Sequence, residues 1–176
     1  MVRERGGSRF VLTYNGELYN TAELRRELEA LGYAFTTRSD TEVVLAAYMA
    51  WGERAPEKLN GIFAFAVWDE RGQRLFLARD RFGIKPLFYR ARGGTLLFAS
   101  ELKALLAHPE VEPVVDAEGL LEIFVLGPAR TPGHGIFRGI RELLPGHYLV
   151  CDRQGLRQVH YWRLESRPHT DDPATT

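Results

Sequence analysis

Only one cysteine, Cys151, stands among the 176 residues, so no internal disulfide can form and the chain suits a reducing compartment. A lone thiol cannot build a zinc site. The five histidines, His108, His134, His147, His160 and His169, have no spacing that sets two of them on one helix face as ligands, and no metal is assigned. No apolar run approaches the roughly 20 residues that cross a bilayer, and the polar opening Met1-Val2-Arg3-Glu4-Arg5 is no signal peptide. A soluble, cytoplasmic protein with no membrane partner is expected. An excess of one charge is also lacking: 23 Lys and Arg balance 23 Asp and Glu, which disfavours nucleic acid as a partner. What remains is an ordinary globular balance, 45% hydrophobic and 26% charged in 20.0 kDa. A chain of this length can bury roughly 70% of its surface and needs no staples.

The β-branched and aromatic run 9–14 reads as a strand that ends in a turn at Asn15-Gly16. Asn20 with Glu23 and Ser39 with Glu42 are capping-box patterns. The first opens a helix carried by Leu24, Leu28 and Leu31 to Gly32. The second opens one carried by Val43, Val44, Ala47, Tyr48 and Trp51 to Gly52. A short strand is expected at 33–36 between them. Residues 62–68 are apolar at odd and even positions alike, so both faces of that strand must be covered. Gly72 turns the chain into the similar run 75–78, which makes an antiparallel hairpin. Further strands are expected at 87–90, 96–99, 148–151 and 156–161, and short helices at 101–107 and 117–125. An antiparallel sheet apolar on both sides needs a second sheet on one face and helices on the other. The expected class is α+β, a four-layer αββα sandwich. Residues 163–176 read as a polar linker or disordered tail.

Four segments could carry chemistry. Asn15 and Gly16 offer a side-chain amide beside a backbone N–H, which suits an oxyanion, although an isolated Asn-Gly is most simply a turn. Asp40 is either a partner of the helix N-terminus or an acceptor for a substrate ammonium. The loop 79–86, Arg79-Asp80-Arg81-Phe82-Gly83-Ile84-Lys85-Pro86, reads as a solvated connection between apolar strands. Ser100, before Glu101, reads as a helix N-cap.

Together, Asn15-Gly16-Glu17-Leu18-Tyr19-Asn20, Ser39-Asp40-Thr41-Glu42, Gly61-Ile62-Phe63-Ala64-Phe65, Arg79 to Leu87, Ala99-Ser100-Glu101-Leu102-Lys103 and Leu144-Pro145-Gly146-His147-Tyr148 occur in the order seen in glutamine-hydrolysing asparagine synthetases. From Phe10 to Trp162 the chain resembles their glutaminase domain, a class II amidotransferase of the N-terminal-nucleophile hydrolase fold. The resemblance implies a cysteine nucleophile at the mature N-terminus, whose own α-amine serves as base because it titrates at about pH 7.7–8.0. It also implies an oxyanion hole at Asn15 and Gly16, a glutamine pocket shaped by Glu17, and Asp40 on the substrate ammonium. The partners implied are glutamine and a synthetase domain or subunit, with ATP and magnesium belonging to the latter and no cofactor to this domain.

The sequence departs from that pattern at its start. Met1-Val2 offers no cysteine, and the family's early Arg-Gly-Pro segment is absent. Residues 1–162 therefore read as a partial domain, truncated at the N-terminus, with an incomplete fold whose open edge a homodimer could cover. Cys151 lies late in a strand with no adjacent amine and reads as a small buried hydrophobe rather than a substitute nucleophile. Gly133-His134-Gly135 lacks the surroundings of a phosphate loop. The expectation is an ammonia-supplying enzyme domain that is inactive as this chain alone; the alternative is a catalytically silent glutamine-binding or interaction module.

Overall fold

The structure, a computed structural model, describes residues 1–127 and 131–166. In chain order its strands are β1 (Val2–Arg5), β2 (Ser8–Leu18), β3 (Gly61–Asp69), β4 (Arg74–Arg79), β5 (Phe88–Arg92), β6 (Thr95–Ala99), β7 (Arg141–Glu142), β8 (His147–Asp152) and β9 (Gly155–His160). The helices are α1 (Thr21–Ala30), α2 (Asp40–Trp51), α3 (Ala55–Lys58), α4 (Leu102–Leu106) and α5 (Ala117–Leu121), the last running on as a wider π-type turn to Leu126. Six strands form one sheet in the order β1-β2-β3-β4-β8-β9, three form a second in the order β6-β5-β7, and every pairing is antiparallel.

Alternation along β3 and β4 builds the layers. Phe63, Phe65, Val67 and Phe76 face one way, into a core closed by Leu24 and Leu28 of α1 and by Val43 to Tyr48 of α2. Ala64, Ala66 and Leu77 face the other way, against Leu87, Tyr89, Leu143 and Leu149 between the sheets. On the outer face of the small sheet, Phe88 packs with Leu105 of α4 and with Val111 and Ile140. The result is helix, sheet, sheet, helix, as two-sided apolar strands require.

Some local readings are corrected. Residues 33–36 form no strand, because no neighbouring strand pairs with them; Tyr33 is instead buried beneath the Arg5 guanidinium. Asn20 does not cap α1 with its side chain; its amide bridges Lys58 O and Asn60 N across to the start of β3. Ser39 does cap α2, accepting from Thr41 N, but Glu42 turns away to Thr36 and Thr37 and leaves the capping box half made. Residues 163–166 are irregular, and the rest of the sequence-defined tail lies outside the described residues.

The largest correction is at Asn15-Gly16, which is no turn. β2 runs through both residues to Leu18, with Asn15 opposite Ala64 and Gly16 opposite Phe63. Close approach of β3 explains the glycine: a Cβ there would lie 2.4 Å from Ile62 O and 2.8 Å from Phe63 Cα. Gly61 is in the matching position, its Cβ site 2.3 Å from Glu17 O. Gly16→Ala should therefore destabilise the domain by about 2 kcal/mol, as overpacking against backbone does. Thermal melts should then show the midpoint falling by roughly 4–8 °C, the size scaling for a domain of this length.

Candidate functional site

In an antiparallel ladder, alternate residues turn both backbone polar groups toward the same neighbour. Tyr19 N–H reaches Asn60 O at 2.8 Å toward β3, whereas Leu12 pairs outward with Met1, its N–H reaching Met1 O and its carbonyl accepting from the Met1 amine, each at 2.8 Å. The even-numbered residues of β2 thus face outward, and Gly16 and Leu18 present their N–H groups on that side. β1 covers this edge only from Ser8 to Val11, and Met1 reaches Leu12. Beyond Leu12, no strand among the described residues pairs with it.

The N-terminus of α2 meets the open part of the edge. Asp40 Oδ2 accepts from Leu18 N at 3.1 Å and from the Tyr14 hydroxyl at 2.9 Å. Asp40 is therefore tied to β2 rather than to the first turn of its own helix. Burial, followed by the bond and charge of Asp40, pushes the Tyr14 hydroxyl far above its ordinary pKa, so it remains a donor. Among the described residues, no hydrogen-bond donor engages Oδ1.

Asn15 and Glu17 lie on the other face of β2. Residues directly opposite across a ladder share a face, and Ala64, opposite Asn15, belongs to the layer between the sheets. There Asn15 Nδ2 donates to Ser100 Oγ at 3.2 Å. Ser100 precedes α4 but does not cap it; that position belongs to Glu101. A cavity of about 140 Å³ opens beside the pair, lined by Thr13, Tyr14, Asn15, Phe98 and Ser100 among others. Asn15 and Glu17 are both exposed. The structure joins Tyr14, Leu18 and Asp40 in one group and Asn15 with Ser100 in another; Glu17 is bonded to neither, and the Gly16 N–H lies on the edge between the groups. Sequence reasoning missed Tyr14 and read Ser100 as a helix cap rather than as the partner of Asn15. The alternation of β2, once extended through Gly16, is the signal that would have placed Tyr14 on the side of Asp40.

Two buried charges hold this edge in place. Glu42, 1% exposed, accepts from the backbone N–H and hydroxyl groups of both Thr36 and Thr37 and pairs with Arg3 at 2.8 Å. Asp80, also 1% exposed, accepts from the N–H groups of Phe63, Phe82, Ile84 and Lys85. Arg79 beside it donates to the carbonyls of Gly83, Lys85 and Leu143 and pairs with Glu142. The loop expected to be a solvated connection is thus anchored inside the fold, directly behind the residue opposite Gly16. Phe82 and Ile84 remain exposed at its tip.

Cys151 is on β8, opposite Leu75 of β4. Three strand spacings separate β8 from β2, roughly 14 Å of sheet. Burial, then Asp152, raises the thiol pKa, the reverse of what activates a nucleophile.

The sequence pattern of a family described as a glutamine amidotransferase domain matches residues 1–162. The chain belongs to that family. Among relatives of this amidotransferase domain, asparagine synthetase [glutamine-hydrolyzing] 3 of Bacillus subtilis is 55% identical over 165 residues, covering 94% of this chain and 27% of the relative. A putative glutamine-hydrolysing asparagine synthetase of Mycobacterium tuberculosis is 43% identical over 172 residues, covering 93% of the chain and 26% of the relative. The chain therefore spans about a quarter of the length of these curated relatives. Among solved structures, the B. subtilis glutamine phosphoribosylpyrophosphate amidotransferase superposes with a TM-score of 0.61 at 24% identity, over 91% of this chain and 30% of that one. At that identity the likeness speaks for the fold alone, the αββα sandwich of the N-terminal-nucleophile hydrolases. Among the described residues no helix is long and apolar enough to cross a membrane.

The anchoring of the amidotransferase edge by Glu42 has a pH signature. Burial alone would raise the pKa of this carboxyl, but the hydrogen bonds from Thr36 and Thr37 outweigh it and hold it at about 2, against an ordinary 4.5. A depressed folded-state pKa contributes stability that is full above the unfolded value and is lost as pH falls toward the folded one, here about 3 kcal/mol. Urea melts should show wild type more stable than Glu42→Gln at pH 6, with the gap closing between pH 4.5 and pH 2.

Proposed function

We propose that this domain forms the oxyanion and ammonium sites of a glutaminase that supplies ammonia to ATP-dependent asparagine synthesis. The observation that carries the reading is the open edge of β2, where two oxyanion donors and one carboxylate come to hand within four residues of strand. A tetrahedral oxyanion needs fixed donors in a small space. Asn15 keeps a second amide hydrogen beyond the one given to Ser100, and Gly16 N–H points outward beside it. Asp40 faces the other end of the substrate, where an acceptor-only carboxylate suits a three-donor ammonium. Glu17, exposed on the face of β2 that carries Asn15, shapes the glutamine pocket.

The chemistry follows from that placement. A thiolate adds to the glutamine amide carbon, forming the C–S bond, and the carbonyl electrons move onto the oxygen held by Asn15 and Gly16. Collapse breaks the C–N bond and ammonia leaves with a proton returned by the base. Water then cleaves the glutamyl thioester to glutamate. By resemblance the thiol is that of an N-terminal cysteine with its own amine as base. Cys151 does not serve, being three strand spacings away with its thiol pKa raised by burial and Asp152. ATP and magnesium belong to the synthetase unit, and no cofactor is assigned to this domain.

A chimera tests the reading, with residues 1–162 replacing the matching segment of the B. subtilis relative. Asn15→Ala should lower its glutamine-dependent turnover by roughly a hundredfold to a thousandfold, the usual effect of removing one oxyanion donor. Turnover with added ammonia should survive, and Cys151→Ala should change neither. Near-normal glutamine turnover in Asn15→Ala would reduce Asn15 to a structural strand residue.

A further inference from the structure

The placement of Asp40 explains how a carboxylate at a helix start can be aimed at a ligand, and it depends on a side chain outside the motif residues given above as substrate contacts. Both donors that fix Asp40 fall on one oxygen: the Tyr14 hydroxyl at 2.9 Å and the Leu18 N–H at 3.1 Å meet Oδ2. Two donors on one oxygen set the plane of the carboxylate and leave the other oxygen, Oδ1, without a donor among the described residues. Leu18 N–H is a backbone group fixed by the ladder, so it supplies position but cannot be tuned by substitution. Tyr14 is the adjustable member. Its ring packs at the margin of the core beneath α1 and α2, and its hydroxyl reaches from β2 to the first residue of α2.

We infer that Tyr14 is a positioning residue for α-ammonium recognition, holding Asp40 so that Oδ1 faces the open edge of β2. This rests on the reading of Asp40 as the ammonium acceptor. Tyr14 touches no reacting atom in this scheme; it acts through Asp40. Its burial keeps the hydroxyl protonated, and therefore donating, across the working pH range. A phenolate at the same place would repel Asp40 instead of orienting it. The consequence is selectivity: without the Tyr14 bond, Asp40 can rotate about its side-chain torsions and the site loses its preference for ligands that carry an α-ammonium. Binding of the carboxamide end, which depends on Asn15 and Gly16, is left in place.

The test compares two ligands by nuclear magnetic resonance titration of the 176-residue chain: L-glutamine, and 4-carbamoylbutanoate, which is glutamine with hydrogen in place of the α-ammonium. Wild type should bind glutamine saturably and more tightly than 4-carbamoylbutanoate. Tyr14→Phe, which keeps the ring and removes only the donor, should weaken glutamine about tenfold, the range for a hydrogen bond to a charged group, and leave 4-carbamoylbutanoate unchanged. Asp40→Asn should weaken glutamine at least as much, and the double variant should be no weaker than Asp40→Asn alone, since the two act as one unit. Loss of both ligands equally in Tyr14→Phe, or of neither, while Asp40→Asn remains defective for glutamine, overturns the role of Tyr14 alone. An undisturbed Asp40→Asn, or no saturable glutamine binding by wild type, overturns the underlying reading. Should Tyr14→Phe not fold, the ring Cζ resonance of Tyr14 in wild type decides: a shift with glutamine and none with 4-carbamoylbutanoate is expected, and an equal response to both contradicts the inference.

Discussion

Backbone alternation along β2 decides which groups of this domain can meet a ligand. The register with β3 runs unbroken from Phe10 opposite Asp69 to Leu18 opposite Gly61, and it commits every second residue to the neighbour. The rest are left for the outer edge. A shift of one residue would turn the Gly16 and Leu18 N–H groups into the ladder and move Asn15 to the helix side. Gly16 and Gly61 pin that register sterically, since each lies where a side chain would strike the facing backbone. Asp80 pins it from behind, accepting the N–H of Phe63 across from Gly16.

The packing serves the same end. Phenylalanines on the helix-facing side of β3 and β4 lock α2 against the sheet, and α2 delivers Asp40 from its first turn. Alanines on the opposite face of β3 let the second sheet approach, and β6 leads into Ser100 beside Asn15. The two faces of one strand are thus given different partners, Asp40 on the helix side and Ser100 between the sheets. Glu42 and Asp80 are costly groups to bury. Each is repaid by several donors, and each fixes a loop that would otherwise leave the edge without a defined partner.

Much of the architecture was legible because the strands around Phe63 and Phe76 are apolar on both faces, which only a layered fold can accommodate. Asn15-Gly16 misled as a strand end, because the dipeptide suits turns when nothing crowds it; the crowding comes from Ile62 and Phe63 of β3, 46 and 47 positions later in the chain than Gly16. Glu42 was legible as a helix-start residue but not as the anchor of Thr36 and Thr37, since both roles use the same spacing from Ser39. Tyr14 carried no local signal, and that of Ser100 pointed to a helix cap. Their partners, Asp40 and Asn15, lie 26 and 85 residues away, and only the folded sheet brings them together. The motif resemblance supplied what spacing could not, the chemistry to attach to Asn15, Gly16, Glu17 and Asp40.

The outward edge of β2 as the glutamine site is tested most directly by following the backbone amides of Gly16 and Leu18 and the side-chain amide of Asn15 in ¹⁵N-labelled protein as L-glutamine is added. The account predicts saturable shifts at all three, sharing one dissociation constant, with the amide of Cys151 on β8 unmoved. Shifts confined to β8, or saturable binding that leaves Gly16 and Asn15 still, would contradict it.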